Sequence, residues 1–237
     1  MNYRESHRGT LLGMTRFRDV LDDMPILGYG RGALAHDRLY SFHNSLAGHS
    51  LNYISRGTFW GTEQRAQLDY SVGNRTGIVN HRWRNDCGVS GEDCSLCMVS
   101  GIATAYWVRW MLVSEDIDAP IVHIARGAPR RWFSHSSEAF GITAAPTRFG
   151  QVTYSITTGD GDSLVKGFVQ LVEHIGVVKK GPLFVTIKLR AADAASPLQG
   201  VVKLVGEGVK LVAWHADNET AVVSSENRSV SFNFTVK

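Results

Sequence analysis

The sequence predicts an α+β protein in two parts, an N-terminal α-helical segment followed by an antiparallel β-sandwich, with the change falling between Glu115 and Pro120. Three observations carry this. Apolar residues recur at spacings of three and four before the boundary, as on one face of a helix. After it they come in short runs rich in Val, Ile, Phe and Thr, bounded by Gly, Pro, Asp or Asn, as in strands. Lysine is also one-sided: residues 1–115 hold 12 Arg and no Lys, whereas residues 116–237 hold 6 Arg and 7 Lys. The expected domains are therefore 1–115 and 116–237.

In the first part, Leu11, Leu12, Met14, Phe17, Val20 and Leu21 predict a helix over Thr10–Met24, ended by Pro25 and the Gly28-Tyr-Gly30 pair. Leu34, Leu39, Phe42 and Leu46 predict a second over Ala33–Ala47. Thr62 is placed to cap a short helix reaching Tyr70. Residues 71–97 read as irregular. Ser100–Ser114 is apolar nearly all round, which predicts a well-buried helix.

In the second part, strands are expected at Ile121–Ile124, Ile142–Ala145, Gln151–Thr157, Val165–Glu173, Leu183–Leu189, Val201–Gly206, Val209–Trp214, Thr220–Val223 and Val230–Val236. Glu207-Gly208 reads as a hairpin turn. Short strands at this spacing predict a sandwich.

Composition narrows the function classes. With 43% hydrophobic and 20% charged residues, the 237-residue chain can build a core. Net charge is +3, divided +1 and +2 between the parts. Neither part has the concentrated basic excess that phosphate neutralisation needs, so no nucleic-acid partner is expected. No stretch is apolar for long enough to span a bilayer. The polar start, Met1-Asn-Tyr-Arg-Glu-Ser, lacks the apolar region of a secretion signal. Sequons at Asn74, Asn218, Asn227 and Asn233 favour a secreted or lumenal location slightly, and the localisation otherwise stays open.

The densest chemistry lies in Ser55-Arg-Gly-Thr-Phe-Trp-Gly-Thr-Glu-Gln-Arg65. Sugar sites need this mix: aromatic faces cover the apolar face of a pyranose, amides and carboxylates bind hydroxyls, and one carboxylate acts at the anomeric centre. In the first turn of a helix Glu63 would be held ionised by the helix dipole, which suits a base. The bland alternative is a first-turn capping acid at Glu63 with Trp60 in the core.

Cys87, Cys94 and Cys97 with His81 have only one Cys-x2-Cys pair, too little for a standard zinc set. A disulfide joining Cys87 to one of the other two, or buried free thiols, are the remaining readings. Arg130, Arg131 and Trp132 suit either a ligand site or a domain interface around Trp132. Gly159-Asp-Gly-Asp162 lacks the later ligands of a calcium loop and reads as a turn. Phosphate-cradling loops, Gly-x-Ser-x-Gly elbows and His-Glu-x-x-His are absent, so no cofactor and no metal are expected.

Phe59-Trp-Gly-Thr-Glu63, the helix ending Arg109-Trp-Met-Leu-Val113, the run Ile121-Val-His-Ile-Ala-Arg-Gly-Ala-Pro-Arg-Arg-Trp132 and Ala145-Pro-Thr-Arg-Phe-Gly-Gln-Val-Thr-Tyr154 occur in order. Together they resemble the C-terminal end of six-hairpin, (α/α)6-barrel glycosidase-like proteins that close with a β-sandwich. The resemblance covers about Tyr40 to Tyr154. It implies that the helical part is a partial α/α toroid and that the partner is a carbohydrate. It also implies that Glu63 is the late catalytic carboxylate, with Arg56, Trp60, Gln64 and Arg65 lining the sugar pocket. A whole barrel needs twelve helices and a second acid on an earlier one. The chain is therefore expected to be the C-terminal part of a longer polypeptide, or a truncated product, and inactive alone. The alternatives are a non-catalytic carbohydrate-binding module, which needs an exposed aromatic platform on a β face, and a structural or interaction segment.

Overall fold

The computed structural model describes residues 10–11, 14–17, 20–22, 26–52, 64–66, 98–116, 118–134, 138–159, 164–173, 181–227 and 229–237. For the strands before residue 26 and for 64–66 it describes backbone alone. The fold is mixed α+β, and the chain divides into two compact units, Met1–Val108 and Arg109–Lys237.

In the first unit, β1 (Thr10–Leu11), β2 (Met14–Phe17), β3 (Val20–Asp22) and β4 (Gln64–Ala66) form a small antiparallel sheet in sequence order. This overturns the helix expected over Thr10–Met24. The apolar spacing there also fits short strands, and β4, some forty residues on, supplies the partner that settles the choice: Val20 pairs with Ala66 and Asp22 with Gln64.

Helix α1 (Ile26–Ala35) begins directly after Pro25 and runs through Gly28 and Gly30, which were expected to end the preceding helix and lie outside any helix. Gly30 leaves room for Trp107. A Cβ there would sit 2.5 Å from Cζ2 of Trp107. The helix ends where Asp37 takes a left-handed φ of +55°. Arg38 N–H then donates to the Ala33 carbonyl (2.8 Å) and His36 N–H to that of Gly32 (3.1 Å). This helix-closing turn, with Asp in the place usually given to Gly, divides the single helix expected over Ala33–Ala47. Helix α2 (Leu39–Asn52) follows.

Helix α3 (Met98–Leu112) gives way without a loop to β5 (Val113–Glu115). Ala103 and Trp107 are fully buried, with Trp107 stacked on Phe42 (centroids 5.0 Å apart, 18° between planes). The opposite face is open, and Ile102, Ala105, Tyr106 and Val108 are exposed. The expectation of burial all round is therefore corrected: one face of an apolar helix lies against the unit and the other does not.

The second unit holds two five-stranded sheets. Sheet I has the order β12-β13-β10-β6-β5 and sheet II the order β11-β14-β9-β8-β7. Their strands are β6 (Ile121–Ile124), β7 (Phe140–Thr147), β8 (Gly150–Thr158), β9 (Val165–Val172), β10 (Leu183–Lys188), β11 (Val201–Gly206), β12 (Val209–His215), β13 (Thr220–Ser225) and β14 (Val230–Val236). Alternation decides what faces inward. Val122 and Ile124, Leu183, Val185 and Ile187, and Ala221 and Val223 come from sheet I. Val152, Tyr154 and Ile156, Val169 and Leu171, and Phe232 and Phe234 come from sheet II. All belong to one apolar cluster, so the two sheets share a core as a sandwich does. Each Val, Leu, Ile or Phe side chain among them contributes roughly 1.5–3 kcal/mol on burial.

Two expectations change in detail. The pairing is antiparallel except between β6 and β10, which run parallel with Val122 opposite Val185. That pair is possible because three strands of sheet II intervene in sequence, enough chain for a crossover. Glu207-Gly208 is not a hairpin turn. It carries the chain from β11 in sheet II to β12 in sheet I. Gly208 has a φ of +65°, and a Cβ there would run into the Asn227 side chain, which donates to the Glu207 carbonyl at 3.3 Å.

Candidate functional site

Arg56, Trp60 and Glu63 lie outside the described residues, as do the three cysteines, His81 and the loop at 160–162. Gln64 and Arg65 open β4, opposite Asp22 and Leu21. That placement corrects one element of the sugar-site reading. Residues 64–66, expected to lie in a short helix begun at Thr62, form a strand instead. The candidacy of Glu63 rests on residue chemistry and resemblance.

Three described polar constellations of the second unit can be assigned a role. Glu219 sits in the β12–β13 turn with a φ of +53° and is 4% exposed. Its Oε1 accepts from the N–H groups of Ala191 (2.9 Å) and Leu198 (3.3 Å), and its Oε2 pairs with Arg130 Nη1 at 2.9 Å. Arg130 Nη1 also donates to the Ala191 carbonyl (2.9 Å), and Leu189 N–H to the Glu219 carbonyl (2.9 Å). This carboxylate joins the 3₁₀ turn Arg130–Phe133, the end of β10 and the loop through Leu198. With both oxygens engaged, it is a structural clasp and not an acid poised over a substrate. Trp132 packs tilted against Phe140 (5.3 Å) on the sandwich core, so this stretch belongs to the core.

Arg109, on the last turn of α3, pairs with Glu115 at 3.0 Å and donates to the Pro146 carbonyl at 2.7 Å. It thereby links the helix end to β7.

His123 lies opposite Thr186 across the β6–β10 pair, its Nδ1 within 2.7 Å of Thr186 Oγ1. Burial, then the Arg126 charge, lower its pKa to about 4, against a smaller raising effect of Asp116. The imidazole is neutral at pH 7. A base this weak is poorly matched to abstracting a hydroxyl proton there, so the His–Thr pair reads as a cross-strand link. Sequence periodicity placed His123 on a strand, but nothing in it signalled the hydroxyl partner. Glu219 was equally silent, as one acid in a polar turn.

Trp214 does not provide an exposed platform. It pairs with Ala221 on the inward face and packs partly buried against the core. Among the described residues, no group of three or more His, Cys, Asp or Glu is placed to hold a metal, and no helix is long and apolar enough to cross a membrane. No family model, curated protein or solved structure matches the chain.

Proposed function

We propose that this chain is the C-terminal part of a carbohydrate-active protein of the glycoside hydrolase kind, in which Glu63 is a catalytic carboxylate and Arg56, Trp60, Gln64 and Arg65 line the sugar pocket. The observation that supports it is the open face of α3. Ile102, Ala105, Tyr106 and Val108 are apolar and exposed, on a helix whose other face is already buried. An apolar helix with two such faces suits a helical layer continued by further helices, as in an α/α toroid. The partial toroid and its missing N-terminal helices are part of this reading. So is the second acid that an anomeric reaction needs, on one of those helices.

Screening the native polypeptide against a panel of polysaccharides for reducing-sugar release tests it. Turnover of at least one glycan supports the proposal; no turnover of any glycan by the polypeptide complete with its preceding helices contradicts it. The non-catalytic module built on Trp214 is disfavoured by the packing of that ring against the core.

A further inference from the structure

The two outer faces of the sandwich are unlike. On sheet I the outward residues of the central strands, such as Ile121, His123, Phe184 and Thr186, are half-buried. On sheet II most outward residues of β9, β14 and the neighbouring strands are exposed. None of the five strands of sheet II contains Asp or Glu, and their only charged residues are Lys166 and Lys203. The register sets both lysines in one cross-strand row, Lys203–Thr235–Lys166–Thr157. Two strand spacings separate them, about 10 Å. The next row is Asn233–Phe168–Ser155, with the Phe168 ring 38% exposed. Beyond it runs Ser231–Gln170–Thr153.

We propose that this outer face of sheet II binds an anionic polysaccharide, of the uronic-acid class, laid across the strands. The charge pattern sets the sign of the occupant: the strands of this face carry two cations and no anion, so they attract an anionic partner. The remaining chemistry suits sugars. Phe168 offers an apolar face to a pyranose, and the flanking amides and hydroxyls donate to and accept from ring hydroxyls. The lysine separation is comparable with one disaccharide repeat, so alternate carboxylates of one chain can meet both. The proposal rests on the carbohydrate reading only for the class of partner. It does not involve Glu63, so the two can fail separately. Asn233 belongs to an Asn-Phe-Thr sequon, and a glycan attached there would cover the same face.

The test is calorimetric titration of the full chain with polygalacturonate oligomers, with malto-oligosaccharides as the neutral probe. Polygalacturonate is expected to bind at least tenfold more tightly than the neutral probe. Lys166→Glu and Lys203→Glu should each weaken it tenfold or more, and Phe168→Ala severalfold. Raising salt from 50 to 200 mM should weaken it too. Should a charge reversal unfold the chain, Lys166→Gln and Lys203→Gln with a smaller loss serve in its place. Equal affinity for the neutral oligomer, binding unchanged in the lysine variants, or an N-glycan on Asn233 of the native protein would each overturn the proposal.

Discussion

The hydroxyl of Tyr154, buried on β8, donates to the main-chain carbonyl of Leu112, the last residue of α3, at 2.9 Å. Ala125 N–H donates to the same carbonyl at 2.8 Å. A helix end leaves carbonyls without intrahelical partners, and here one of them is satisfied from the sandwich. Burial pushes the Tyr154 phenol well above its ordinary range, so it stays a donor at any moderate pH. Tyr154→Phe keeps the packing and removes this donor. Denaturant unfolding should show a loss of about 1–2 kcal/mol with little change in m-value.

The Glu219–Arg130 clasp should be costlier to break. Glu219→Ala leaves the Ala191 and Leu198 N–H groups without their acceptor and removes the partner of Arg130. A loss of about 3 kcal/mol is expected. Arg130→Ala should cost less, because its side chain is 37% exposed. The coupling from a double-mutant cycle should clearly exceed that of Lys210–Glu226, a fully open pair at 3.8 Å.

His123 makes stability depend on pH. Its folded pKa of about 4 lies below the ordinary 6.5, so the unfolded chain binds the proton more tightly. The contribution is complete above pH 6.5 and is lost as pH falls toward 4, by up to ~3 kcal/mol. Urea midpoints measured from pH 7.5 to 4.5 should fall, and His123→Gln should flatten that part of the profile. An unchanged slope in the variant would assign the pH dependence elsewhere.

Gly28 and Gly30, two residues apart on α1, should respond with opposite sign. Gly30→Ala drives a methyl into the Trp107 ring and should destabilise by roughly 1–3 kcal/mol despite better helix propensity. Gly28→Ala meets nothing within 4 Å and should gain up to about 1 kcal/mol. Thermal unfolding of both variants checks this.

The sandwich strands were legible because β8, β9, β13 and β14 are long enough for inward and outward residues to alternate visibly. Strands β1–β3 have two to four residues, too short to show a period, and their pairing with β4 is a long-range fact. Glu207-Gly208 announced a turn, but a turn does not say whether the next strand stays in the same sheet. The break at Asp37 hid behind an ordinary residue in a left-handed conformation. Of the candidate sugar site, the residue chemistry was readable and the secondary structure after Glu63 was misread. Glu219 and His123 became visible only when distant chain segments met.

Hydrolysis by the native polypeptide carrying Glu63→Gln tests the central claim most directly. The substitution keeps size and hydrogen-bonding capacity and removes the ionisable group. With Glu63 as catalytic carboxylate, kcat should fall by two to four orders of magnitude with KM little changed. A variant that hydrolyses its glycan at the wild-type rate would contradict the account.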